Sequence, residues 1–176
     1  DNTNSGVTFA GSWTLGNTAA GRYQADYKFA TATNAFVATA TFMPEIPNPG
    51  FYDVSVWYPA GANRSSNTPH RVSYFRGETN ILVNQQISGG FWLPLATARP
   101  FLPGTNGFVQ ISNNAGPSVV MADAVKFSFV APLVVPFIES ASSTGPGAVQ
   151  LRVTSTPGYP VWLERASNFS NWLPVT

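Results

Sequence analysis

Few side chains in this sequence could do acid–base chemistry. The carboxylates are Asp1, Asp26, Glu45, Asp53, Glu78, Asp123, Glu139 and Glu164, and the only histidine is His70. Glycoside hydrolysis needs two carboxyl groups facing each other, roughly 5–9.5 Å apart. Here the eight carboxylates are scattered, and none sits in a recognisable motif. His70 is the sole possible base for a Ser-His-Asp arrangement, and no G-x-S-x-G elbow accompanies it. Placed after Pro69 at the head of an alternating run, it reads as a loop hydrogen-bonder. The chain has no cysteine, which removes disulfides, thiolate catalysis and Cys-based zinc sites together. One histidine cannot build a zinc site without carboxylate help, and no dense Asp/Asn/Glu run predicts calcium. The expectation is a protein that is not an enzyme and carries no metal or cofactor.

Binding chemistry has more to work with. A sugar ring offers an apolar face to aromatic side chains and a rim of hydroxyls to planar polar groups. Trp13, Trp57, Tyr58 and Trp92 are stacking candidates, and Asn63, Arg64, Asn84, Gln85 and Gln86 are candidates for hydroxyl recognition. The expected glycan set is Trp57, Tyr58, Asn63, Arg64, Gln85 and Trp92. Each has a structural alternative: core packing for the rings, and an edge strand displaying polar side chains for Gln85 and Gln86. An arginine at the base of a long loop often ties that loop down. Arg64 and Asp123 are therefore expected to pair as an internal brace. Asn63-Arg64-Ser65 and Asn168-Phe169-Ser170 fit the N-x-[ST] acceptor pattern, which short sequences also match by coincidence.

Composition narrows the partners. Of 176 residues, 44% are apolar but only 10% are charged, against the usual quarter. Ser, Thr, Asn and Gln supply the polarity, as suits an exported β-protein or one packed against other surfaces. Net charge is +1 and the nine Lys and Arg residues form no basic run, so no electrostatic footprint for nucleic acid exists. No apolar stretch approaches the ~20 residues that a membrane-spanning helix needs. The start at Asp1-Asn2-Thr3, without an initiator Met, predicts a processed or excised N-terminus.

The elements that must position these residues are strands. "AFVATATFM" puts Phe36, Ala38, Ala40 and Phe42 on one side. "FYDVSVWYP" puts Tyr52, Val54, Val56 and Tyr58 on one face, with Asp53, Ser55 and Trp57 opposite. "RVSYF", "NILVNQQ", "GFVQIS" and "AVKFSFV" alternate similarly. Turn signals separate them at 44–50, 60–69, 76–80, 88–90, 102–107 and 113–118. Short strands at that spacing predict an all-β fold, an antiparallel jelly-roll β-sandwich with a short C-terminal β appendage. The predicted organisation is a sandwich over 1–130, a Pro-rich linker or edge strand over 131–137, and a partial β-module over 138–176. The last is too short to bury a core of its own.

Five stretches carry a family resemblance: "DNT" with "GSW", "GRYQADYKFA", "FYDVSVWYPAGANRSSNTPHRV", "VNQQISGGFWLPL" and "VVMADAVKFSFV". In this order over residues 1–130 they resemble the domain shared by golvesin and the C-terminal part of xanthan lyase, a carbohydrate-binding-like family. The tail, "STPGYPVWLERASNFSNWLPVT", resembles the first half of a small β-module found at the ends of large secreted bacterial proteins. The resemblance implies an antiparallel jelly-roll sandwich in secreted multidomain proteins, located outside the cell or at its surface. Two functions are expected, the first from the resemblance and the second on grounds independent of it. One is a non-catalytic module that binds polysaccharide or attaches to a cell surface. The other is a structural subunit of an extracellular fibre, sheath or surface layer. In that reading low charge and unpaired strand edges allow homo-oligomer or filament growth by strand addition.

Overall fold

In the computed structural model, residues 1–116, 118–134, 137–145, 148–156, 164–165 and 173–174 are described. The chain divides into two compact units, Asp1–Pro132 and Leu133–Thr176. The first unit contains β1 (Val7–Ala10), β2 (Thr14–Gly16), β3 (Tyr27–Thr31), β4 (Thr39–Phe42), β5 (Gly50–Trp57) and β6 (Thr68–Tyr74). It continues with β7 (Gly77–Val83), β8 (Leu93–Phe101), β9 (Phe108–Ser112), β10 (Val119–Ala122) and β11 (Ala124–Pro132). These form a five-stranded sheet in the order β1-β4-β9-β6-β7 and two three-stranded sheets, β10-β3-β2 and β11-β5-β8. Every strand pairing is antiparallel. The fold is all-β, as the alternation predicts.

Period-two patterning decides which side chains go inward. Along β5 the burial strictly alternates, with Tyr52, Val54 and Val56 inside and Phe51, Asp53, Ser55 and Trp57 less covered. Val72 of β6, Val109 and Ile111 of β9, Ala40 and Phe42 of β4, and Val120 and Met121 of β10 join them in one core shared by the three sheets. Each large aliphatic side chain buried there contributes roughly 1.5–3 kcal/mol. Phe101 is the aromatic hub of one end, edge-on to Tyr52 at 5.7 Å and to Phe127 at 5.4 Å.

Three expectations shift. Phe36 lies before β4 rather than in it, and stands 62% exposed. The turn expected at 76–80 is tighter: Tyr74 pairs with Gly77, leaving only Phe75 and Arg76 in the loop. Arg76, the second loop residue, adopts φ +62, the left-handed value that a type II turn needs at that position. Finally, β11, an edge strand, runs through Ala131 and Pro132, which pair with Phe51 and Gly50 after a bulge, so the start of the stretch read as linker or edge strand is strand. Pro132 costs the ladder nothing at a strand terminus.

In the second unit, β12 (Phe137–Gly145) pairs with β13 (Ala148–Thr154), and β14 (Glu164–Arg165) with β15 (Leu173–Pro174). Across the hairpin, Arg152 Nε meets Glu139 Oε2 at 2.8 Å, and Thr154 Oγ1 donates to Glu139 Oε1. Most of the stretch carrying the second resemblance, including Asn168, lies outside the described residues.

Two buried polar side chains shape the interior. Gln85, fully buried, donates from Nε2 to the Met121 carbonyl (2.9 Å) and accepts at Oε1 from the Met121 N–H (2.8 Å). Its amide thus stands in for one residue of a neighbouring strand beside β10. His70 points inward from β6, 1% exposed, and its Nδ1 donates to the Thr68 carbonyl at 3.0 Å. Its Nε2 has no hydrogen-bond partner in the protein. Burial pushes the imidazole down to about 4, so the ring is neutral in the fold near neutral pH.

Gln85→Leu should leave the Met121 N–H and C=O unpaired in the core and cost about 2–4 kcal/mol, read as a lower urea midpoint at an unchanged slope. For His70, the neutral ring must charge as pH falls while the unfolded chain binds the proton readily. Its contribution to stability is complete above pH ~6.5 and is lost as pH drops toward 4. At pH 5 the loss should be about 2 kcal/mol. His70→Phe should shrink the difference between the melting temperatures at pH 7.5 and pH 5; an unchanged difference would refute this assignment.

Candidate functional site

The outward residues of β5 and the loops beside it form the richest surface of the first unit. Trp57 ends β5, and the strand's alternation turns it away from the Val54–Val56 side. Its indole Nε1 donates to the Gly21 carbonyl at 2.7 Å, which pins the loop before β3 onto the sheet. Trp92 sits just before β8, whose Leu93 pairs with Val56. The two tryptophan rings meet edge-to-face at 5.4 Å and 72°. Tyr23 completes a trio, 5.5 Å from Trp57 and 5.1 Å from Trp92. Lys126, opposite Ser55 on β11, places Nζ 4.8 Å from the Trp92 ring centroid. A cation over an indole face is worth about 0.5–1 kcal/mol at an exposed site.

The two loops can close on one another because both carry glycine at the meeting point. Gly21 and Gly90 each have φ +77, and a Cβ on Gly21 would stand 3.4 Å from the Gly90 Cα. Gly90 N–H donates to the Tyr58 carbonyl at 2.9 Å, which anchors the second loop. On that loop Ile87 and Phe91 are 59% and 47% exposed, extending the apolar surface beyond the trio. The arrangement offers partly exposed rings, one ammonium group and a rim of backbone. That is binding chemistry: the ring faces suit the apolar side of a sugar, and the ammonium a hydroxyl or carboxylate.

Of the six expected ligand residues, the structure joins only Trp57 and Trp92 in this cluster. Tyr58 is corrected: it is fully buried, and its hydroxyl donates to the carbonyls of Ile87 (3.0 Å) and Asn84 (3.3 Å). Burial also raises its phenol above the ordinary value. Period two demands this, since adjacent strand residues face opposite sides. Gln85 is likewise corrected, because its amide is consumed by Met121 inside the core.

Asn63 and Arg64 shape their own loop. Arg64 Nη1 donates to Asn63 Oδ1 at 2.6 Å, the Arg64 carbonyl accepts from Gln86 Nε2 at 3.1 Å, and Val119 N–H donates to the Asn63 carbonyl at 3.2 Å. The next residue, Ser65, is buried, with its hydroxyl on the Ala115 carbonyl, which withdraws it from an acceptor motif. Of the other ring and amide candidates, Trp13 packs edge-on to Phe9 at 5.5 Å, and Asn84 Oδ1 caps the Gln86 N–H at 3.0 Å.

The Arg64–Asp123 brace does not form. Asp123 is fully buried at the junction of β10 and β11, and its Oδ2 accepts from the Tyr23 N–H at 2.8 Å. Sequence reasoning missed Tyr23 and Lys126. Tyr23 lies in a loop with no periodicity to mark it. Lys126 was legible only through the register that sets it opposite Ser55.

Comparison with known proteins fits this geometry. The model of the golvesin C-terminal domain matches residues 1–129. A xanthan lyase of Bacillus sp. (strain GL1) is 37% identical over 131 residues, covering 72% of this chain and 14% of the lyase. The solved structure of a Paenibacillus xanthan lyase superposes with a TM-score of 0.70 at 39% identity, covering 74% of this chain and 12% of that one. The chain therefore spans about one seventh or less of either lyase. A family match across residues 1–129, supported by fold and by more than a third of identical residues, shows that the chain belongs to the golvesin C-terminal domain family.

Proposed function

We propose that the first unit is a non-catalytic polysaccharide-binding module of an extracellular multidomain protein, with the Tyr23–Trp57–Trp92 cluster and Lys126 as its contact surface. The observation that carries this reading is the likeness of the unit to a segment of enzymes named for a polysaccharide. The ring cluster supplies the matching chemistry, and Lys126 beside it favours an acidic glycan. A non-catalytic role accords with the places of two carboxylates: Asp53 caps the Ala98 N–H at 2.8 Å, and Asp123 is buried.

Affinity electrophoresis through gels containing xanthan and a panel of other polysaccharides tests the proposal. Trp92→Ala should weaken retardation about tenfold, near 1.4 kcal/mol, with near-UV circular dichroism reporting that the fold persists. Lys126→Ala should weaken only binding to acidic polysaccharides, and salt should mimic it. A wild-type protein retarded by none of the panel would end this reading.

A further inference from the structure

Three separate stretches of the first unit converge beside Asp123. The N-terminal turn brings Asn2, which is 4% exposed and whose Nδ2 donates to Asp26 Oδ1 at 2.6 Å. The turn ahead of β3 brings Asp26 itself and Tyr23, whose N–H holds Asp123 Oδ2 at 2.8 Å. The β10–β11 junction brings Asp123, fully buried. Asp26 lies close enough for its charge to act on Asp123. Two oxygens of this group, Asn2 Oδ1 and Asp123 Oδ1, are buried and accept no hydrogen bond from the protein.

With Asp123 ionised, both orphans are acceptors, and what they then require is a donor or a cation. Leaving a buried carboxylate oxygen unmatched is costly, and such groups in folded proteins find a hydrogen bond, a water or an ion. The positive groups nearby do not fill that role. The Arg22 guanidinium is directed elsewhere, donating from Nε to the Ala25 carbonyl at 2.9 Å and from Nη1 to the Ala19 carbonyl at 3.3 Å. The α-ammonium of Asp1 acts on Asp123 only at longer range, and the ion pairs of the described residues do not include it.

We propose that Asn2, Asp26 and Asp123 form a site for a hard divalent cation, Ca²⁺, that ties the N-terminal turn and the loop before β3 to the β10–β11 junction. Carboxylate and amide oxygens are the donors that Ca²⁺ selects. No three His, Asp or Glu side chains cluster as a metal set among the described residues. The protein thus supplies two carboxylates and an amide oxygen, and water completes the shell. A site of that kind belongs to the weak, extracellular range, with Kd on the order of 10⁻⁴–10⁻³ M. The site also bears on the aromatic cluster, because Tyr23 contributes its N–H to Asp123 and its ring to Trp57 and Trp92.

Thermal unfolding of the full chain decides the matter. Protein stripped with EGTA should gain about 3–10 °C in melting temperature at 10 mM CaCl2, saturably, and nothing from NaCl of equal ionic strength. Tb³⁺, excited through the neighbouring tyrosine, should give luminescence that Ca²⁺ displaces. Asp123→Asn and Asn2→Ala should each lose both responses while keeping a cooperative transition. If Asp123→Asn does not fold, Asn2→Ala carries the test alone. Equal melting temperatures in EGTA and Ca²⁺, which a buried water would give, overturn the proposal. So does an undiminished response in Asn2→Ala.

Discussion

Burying backbone obliges it to find partners, and the first unit meets that demand beside β10 with side chains and loops rather than with strands. Met121 is 1% exposed and has no strand on the side where Gln85 lies. The Gln85 amide supplies both the donor and the acceptor that a strand residue would have given. Around that clamp the chain knits further. Gln85 N–H donates to the Ser65 carbonyl, Ser65 N–H to the Val119 carbonyl, and Gly61 N–H to the Gln85 carbonyl, at 2.8, 2.8 and 3.3 Å. An amide here satisfies without charge what an ion pair would satisfy only at a desolvation cost.

The consequence reaches the surface. Because Gln85 fixes the chain after β7, the segment that follows emerges at a defined place, with Tyr58 holding Ile87 from below and Gly90 bonded to Tyr58. Trp92 is thereby delivered against Trp57. The loop before β3 arrives independently, held by the indole of Trp57 at Gly21 and by Asp123 at Tyr23. A surface built from two loops keeps its geometry only when both are tied to something rigid, and here each is tied to β5 or to the end of β10. Support of this kind is what a binding surface requires of its scaffold.

Much of the fold is legible in the sequence, and the legible part has one origin. The alternation in 51–58 names the buried and exposed faces of β5, and it also implies that Trp57 and Tyr58 cannot share a ligand. Polar residue type was the weaker guide. Gln85 and Gln86 read alike in sequence, yet one is at the centre of the core and the other is exposed. Their places at a loop base and ahead of a core strand suggest Arg64 and Asp123 as a brace, but Asp123 faces the loop before β3 and Arg64 faces Asn63.

By itself the sequence determined the all-β class, the inward faces of the strands, the position of most turns, the absence of cysteine chemistry and the family likeness. Those follow from local periodicity, turn residues and composition, all of which are properties of neighbouring residues. Tertiary structure alone decided that Tyr23 joins Trp57 and Trp92, that Gln85 replaces a strand, and that Asn2, Asp26 and Asp123 share one corner. Each of these joins residues tens of positions apart, as in the 100-residue separation between Tyr23 and Asp123. Such contacts are set by sheet order and register, which depend on how the whole core packs and leave no periodic mark in the chain.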